Sequence, residues 1–157
     1  MFTMTKLSSL GKPLEKNKMQ EQMIEALGGF LDEALEKEFY RVTDGNGREY
    51  ISMKLKLEDI WYFEYIKRQR RISIISMNKM YEFKGVFEKL VEELELYDFA
   101  VNCRGNLVNL NHIVKIKGRV IYLDNDQTLP LSQKRNADFR ERMNSFLQKN
   151  RRRLYYG

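Results

Sequence analysis

The chain reads as a mostly β domain with α-structure added, an α+β fold with one internal helix, a C-terminal helix and an N-terminal helical leader. Three observations lead there. Apolar residues recur at helical spacing as far as about Lys37, then alternate with a period of two from Phe39 onward, the mark of half-buried strands. Turn-forming pairs punctuate the second zone at short intervals. Two later stretches, FEKLVEELEL and NADFRERMNSFLQ, return to a helical period.

In the leader, Pro13 suits the first turn of a helix, where its missing N–H would be unpaired anyway. Ile24, Leu27, Leu31 and Ala34 then align in one apolar stripe. Gly28-Gly29 interrupts it at about 1 kcal/mol per glycine, so a kink or break is expected. A single amphipathic helix cannot bury its own stripe. It must pack on the following domain, on a second copy, or on something outside this chain.

RVTDGNGREYISMKL predicts strand, turn, strand, because Asp44-Gly45 and Asn46-Gly47 tolerate positive φ. DIWYFEYI is an aromatic strand whose alternation sends Trp61 and Phe63 to one face and Tyr62 to the other. RRISIISMNKMYEFKG is a hairpin turning near Asn78-Lys79. In the internal helix Phe87, Leu90, Val91 and Leu94 share a face, while Glu92, Glu93 and Glu95 read as solvated. NHIVKIKGRVIYLDNDQTLPLS gives three short strands, turning at Lys117-Gly118 and Asp124-Asn125. Ser132 is placed to cap the last helix. The expected division is a leader over 1–38, a domain over 39–149 and a basic tail over 150–157.

The bulk properties narrow the function. No apolar run approaches the roughly 20 residues of a bilayer crossing, and the N-terminus lacks a secretion-signal pattern, so a cytoplasmic protein is expected. The one cysteine, Cys103, cannot staple the fold or make a Cys-rich zinc site. His112, the only histidine, has no neighbouring ligand and reads as structural; no metal or cofactor is expected. No nucleophile–base pair or phosphate-binding glycine loop is visible, which argues against an enzyme. Net charge is +6, but residues 1–38 hold five Lys/Arg against seven Asp/Glu, leaving +8 on residues 39–157. A basic domain behind a mildly acidic leader points to a polyanionic partner.

Four blocks in order carry a family resemblance: Glu58-Asp59-Ile60-Trp61-Tyr62-Phe63-Glu64; Tyr81-Glu82-Phe83-Lys84-Gly85-Val86-Phe87-Glu88-Lys89-Leu90; Cys103-Arg104-Gly105-Asn106-Leu107-Val108-Asn109-Leu110-Asn111-His112-Ile113; and Leu129-Pro130-Leu131-Ser132-Gln133-Lys134-Arg135. From about Phe39 to Lys149 the chain resembles the LytTR family, the DNA-binding domains of bacterial response regulators. Three positions depart from the family pattern: Cys103 stands where His is usual, Gly105 where Ser is, and Asn106 where Tyr is. The resemblance implies an elongated set of small antiparallel sheets whose loops, not a recognition helix, enter successive major grooves. It also implies binding to paired direct repeats in promoters and transcription regulation within a two-component system.

The candidate DNA contacts form three clusters. Lys67, Arg68, Gln69, Arg70 and Arg71 join two strands as a cationic loop. An arginine fork can hold a phosphate or read guanine O6 and N7, and by resemblance Arg70 falls where the family contacts a base. Arg104 keeps the family's arginine; it either contacts DNA or pairs with an acid near Glu92–Glu95. Asn106 either pairs with adenine or shapes the turn. Gln133, Lys134 and Arg135 open the last helix, whose free N–H groups and partial positive charge suit a phosphate. Arg151, Arg152 and Arg153 would add nonspecific attraction. Cys103 is redox-sensitive only if exposed among cations; otherwise it is a quiet thiol.

Leu10-Gly11-Lys12-Pro13-Leu14-Glu15 is similar to the end of a receiver domain, without room for the phosphoacceptor, so Lys12 carries no active site here. The segment is either a remnant or a coincidence. Either way, residues 14–37 could hold a homodimer contact or a regulatory protein partner. The competing function is a LytTR-like interaction module with weakened DNA binding, acting through that helix.

Overall fold

A computed structural model describes residues 35–44, 49–77 and 79–156, the last six as backbone only. The leader readings over residues 1–34, the turn glycines Gly45 and Gly47, and Asn78 lie outside the described residues. The chain divides into two units between Glu36 and Lys37, and the fold belongs to the second. Glu36 and Lys37, expected to end the leader helix, instead open a strand.

The strands are β1 (Glu36–Thr43), β2 (Ile51–Lys56), β3 (Ile60–Ile66), β4 (Arg71–Ser76), β5 (Met80–Phe83), β6 (Phe99–Cys103), β7 (Asn106–Asn109), β8 (Ile113–Lys117), β9 (Val120–Leu123) and β10 (Thr128–Pro130). The helices are α1 (Phe87–Leu94) and α2 (Asn136–Tyr156). A seven-stranded sheet runs in the order β2-β1-β5-β4-β3-β7-β6, and a three-stranded sheet in the order β10-β9-β8. The β3–β4, β3–β7, β4–β5, β6–β7, β8–β9 and β9–β10 ladders are antiparallel. The predicted mostly-β fold with an internal and a terminal helix is the observed one.

Strand β7 sits where two cores meet. All four of its residues are buried, so the alternating Leu107 and Val108 face apolar surroundings on both sides. One core stacks Phe39, Phe63, Phe83 and Phe99, with ring centroids 5.2–6.0 Å apart. Leu90 and Leu94 on the apolar face of α1 are buried as well. The other core gathers Ala100, Val108, Leu110, Ile121, Leu123, Leu129, Leu131, Phe139 and Met143, which joins the small sheet and α2 to the large sheet. Gly85 permits the turn from β5 into α1: a β-carbon there would stand 2.8 Å from the Phe83 ring.

Two buried asparagines tie neighbouring elements together. Asn109 donates through Nδ2 to the Leu57 and Ile60 carbonyls (3.2 and 2.9 Å) and accepts the Asn111 N–H at 3.0 Å. It thereby fixes the tight turn Leu57–Asp59 that launches β3. Asn102 donates to the Pro130 carbonyl at 2.8 Å, and its backbone carbonyl accepts the Ser132 N–H at 3.0 Å. These two bonds bring β10 alongside β6.

Two local expectations fail. Trp61 and Phe63 do not share a face. The β3–β4 register shifts between Ile60 and Tyr62, and such a bulge breaks strict alternation. Phe63 enters the aromatic core, while Trp61 and Tyr62 both pack against the second core. The last helix does not end before the basic stretch, because α2 continues through Tyr156.

Candidate nucleic-acid interface

Several hairpin turns rich in Lys and Arg gather at one end of the strand array. β3 runs into the turn Lys67–Arg70, and all four turn residues are exposed. Bonds from Gln69 N–H to the Ile66 carbonyl (3.2 Å) and from Arg70 N–H to the Lys67 carbonyl (3.3 Å) close it. Arg70 adopts φ 54°, a left-handed conformation that sharpens the reversal. β7 is antiparallel to β3, with Glu64 opposite Asn106, so the β6–β7 turn holding Arg104 emerges at the same end. The Tyr65 N–H donates to the Gly105 carbonyl at 2.7 Å and locks the two turns side by side. Gly105 has φ +73°, a conformation open to glycine at little cost. Arg104 is exposed and makes no ion pair among the described residues, including with the acids of Glu92–Glu95.

The third cluster arrives through Asn102. Its carbonyl anchors Ser132, and Gln133, Lys134 and Arg135 follow, all exposed. These three do not open the helix as expected. Successive i to i+3 bonds, Arg135 N–H to Ser132 carbonyl (3.1 Å) and Asn136 N–H to Gln133 carbonyl (3.3 Å), form a tighter turn before α2 begins at Asn136. The Ser132 hydroxyl accepts the Arg135 N–H at 3.2 Å, so it caps this turn and not the helix proper.

Two members of the expected set sit differently. Arg71 is the first residue of β4, not part of the loop tip. Its side chain is 16% exposed, lies 3.3 Å from the Glu82 carboxylate and stands over the Tyr50 ring. Asn106 is 7% exposed and its Oδ1 has no hydrogen-bond partner. It points into the molecule because it lies on β7, which is covered on both faces. Neither offers a free side chain to a duplex.

A cationic connection that carried no expected role lies at this end too. The β8–β9 turn, Lys117-Gly118-Arg119, is exposed. The Arg119 carbonyl accepts the Leu131 N–H at 2.9 Å, beside the Ser132 turn. The sequence signal was two cations flanking a turn glycine; what it lacked was the end of the molecule on which that turn emerges. Lys84, in the exposed β5–α1 connection, is placed likewise.

The ends of the strand array differ in charge. The connections 67–70, 84–86, 104–105, 117–119 and 131–135 contain no acid. Those at the other end contain Glu58, Asp59, Glu95, Asp98, Asp124 and Asp126. Three cations near that other end are paired: Lys79 with Asp44, Arg142 with Glu95, Lys149 with Asp98. Among the described residues, the cations in the turns Lys67–Arg70, Arg104–Gly105, Lys117–Arg119 and Gln133–Arg135 make no ion pair. Unpaired, solvated cations on one side make a surface complementary to a polyanion.

Cys103 is half-buried, and burial pushes its thiol up, with Glu64 adding to the rise. That is the reverse of an activated thiolate. His112 meets Asp124 through Nδ1 (2.9 Å) and the Glu58 carbonyl through Nε2 (2.5 Å), and stacks on Trp61 with centroids 4.7 Å apart. Its role is structural. A groove of about 290 Å³ between β8 and α2 is lined by Ile113, Val114, Lys115, Ile116, Arg140, Met143, Asn144 and Leu147, a set without a carboxylate, thiol or hydroxyl. Among the described residues no helix is long and apolar enough to cross a membrane.

Residues 51–144 match the family described as the LytTr DNA-binding domain. Among solved structures, the LytTr DNA-binding domain of a Bacillus cereus methyl-accepting/DNA response regulator is similar, with a TM-score of 0.57 at 18% sequence identity. The likeness covers 68% of this chain and 95% of that one. At that identity it speaks to the fold. No curated protein matches the chain.

Proposed function

The chain belongs to the LytTR family of DNA-binding domains, and on that premise we propose that it is a transcription regulator reading double-stranded promoter DNA through its cationic turns. The observation that carries this reading is the segregation of charge: turns from distant stretches of chain meet at one end with Lys and Arg that make no ion pair among the described residues. Arg70 and Arg104, at two adjacent tips, are the base readers in this scheme. Lys67, Arg68, Gln133, Lys134 and Arg135 hold phosphates and set the register. Sequence is read from the major groove, and paired direct repeats would seat two copies.

The test is a fluorescence-anisotropy titration of the full chain against a direct-repeat promoter duplex and a scrambled duplex. Arg70→Ala should cost about 1–3 kcal/mol on the specific site and narrow the gap between the two duplexes. Unchanged affinity in a variant lacking Arg70, Arg104 and Lys134 together would sink the assignment. The substituted loop, with Asn106 buried and Cys103 half-buried, favours a second reading: an interaction module with weakened DNA binding, acting through a protein partner at residues 14–37. Equal, weak affinity for both duplexes would favour that reading.

A further inference from the structure

We propose that the β8–β9 turn is an additional phosphate-binding tip, in which Lys117 and Arg119 extend the DNA footprint beyond the three clusters named above; the inference rests on the DNA-binding reading. Four observations on the turn converge. Lys117, Gly118 and Arg119 are all exposed, and neither cation has an ion-pair partner among the described residues. Gly118 has φ +62° and open space where a side chain would stand, so the backbone at the apex is bare to an approaching strand.

The carbonyls, which would repel a phosphate, are already engaged. The Gly118 carbonyl accepts from the Arg140 guanidinium, and the Arg119 carbonyl accepts the Leu131 N–H at 2.9 Å. The tip is thus left with donors and positive charge. Arg140 is held in turn by its Nε bond to Asn136 Oδ1 at 2.9 Å, so α2 buttresses the turn and brings a further cation behind it.

The placement suits a duplex. The three-stranded sheet β10-β9-β8 lies next to the β6 edge of the larger sheet, because Asn102 and Ser132 bridge β6 to the end of β10. At about 4.8 Å per strand, and counting the β6–β10 step between the sheets as one further width, five widths separate the β3–β4 tip from the β8–β9 tip, or about 24 Å. That is less than one duplex turn of about 34 Å, so all the tips can lie along one side of the same DNA.

The experiment measures binding of the full chain to a mixed-sequence 25-base-pair duplex (a length of about 2.5 turns) across a salt series. Each phosphate contact contributes about 0.9 to the slope of log affinity against log salt. Lys117→Ala/Arg119→Ala should lower the slope by about 1.8, so that wild type loses about tenfold more affinity than this variant between about 50 and 200 mM salt. The charge-preserving Lys117→Arg/Arg119→Lys should keep the wild-type slope. Arg70→Ala/Arg104→Ala, in the same series, tests the underlying reading by itself. A wild-type slope in Lys117→Ala/Arg119→Ala, alongside a reduced one in Arg70→Ala/Arg104→Ala, overturns the fourth tip and leaves the reading standing. No binding by wild type, or no effect of either pair, overturns both.

Discussion

Asp124 joins three distant parts of the chain through one carboxylate. Trp61 Nε1 donates to it at 2.6 Å, and His112, which also holds the Glu58 carbonyl, meets it at 2.9 Å. Burial works to raise the carboxyl, but the bonds from His112 and Trp61, with the charge of His112, outweigh it and hold Asp124 below its ordinary 3.8. A carboxyl lowered in the folded state stabilises the fold fully above 3.8 and loses that contribution as pH falls through its lowered value. Urea midpoints measured from about pH 6 down to about pH 2.5 should therefore fall more steeply for wild type than for Asp124→Asn below about pH 4. Parallel profiles would show that the pairing contributes nothing to stability. At the same scale, the sequence left Arg104 and Asn106 both as candidate DNA contacts, each with a structural alternative. Their separation came from position: Arg104 stands on a turn, Asn106 on a strand covered on both faces.

Helix α2 is held to the β-structure chiefly by its apolar side. Phe139 is 1% exposed among Leu129, Leu131 and Ile121, and Met143 lies one turn on. Arg142 and Lys149 add surface ion pairs to Glu95 and Asp98, which contribute little individually. Phe139→Ala should cost about 3–5 kcal/mol in chemical denaturation. Lys134→Ala, in the exposed turn just before the helix, should stay within about 0.5 kcal/mol of wild type. The reverse ranking would mean that the turn, and not the apolar face, holds the helix. Most elements were legible from period and turn chemistry: the 60–66 strand, the turn at Lys117-Gly118, the α1 face. The exceptions have physical causes. A bulge at the start of β3 is invisible to a strict alternation count, and the 133–135 turn is tightened by Ser132 in a way helix periodicity does not register.

At the scale of the fold, the charge of the described turns follows the strand axis, with cations that make no ion pair among the described residues at one end and acids, some of them paired, at the other. A DNA-binding surface of that kind releases counterions on contact, so affinity for any duplex should fall linearly on a log–log plot as salt rises. The fold itself, held by two apolar cores, should keep its denaturation midpoint over the same salt range. An affinity independent of salt between about 50 and 200 mM would contradict a phosphate-contacting surface.

Periodicity, turn residues and the four ordered blocks were enough, from sequence alone, to determine the fold class, the family resemblance and three of the cationic connections, because each is a local pattern along the chain. Tertiary structure decided which of those connections share an end, that Arg71 and Asn106 turn away from it, and that Lys117 and Arg119 join it. The reason is that direction and neighbourhood depend on antiparallel register and on a few long-range bonds, Tyr65 to Gly105, Ser132 to Asn102 and Leu131 to Arg119. Those bonds link residues far apart in sequence, where no periodic signal reaches.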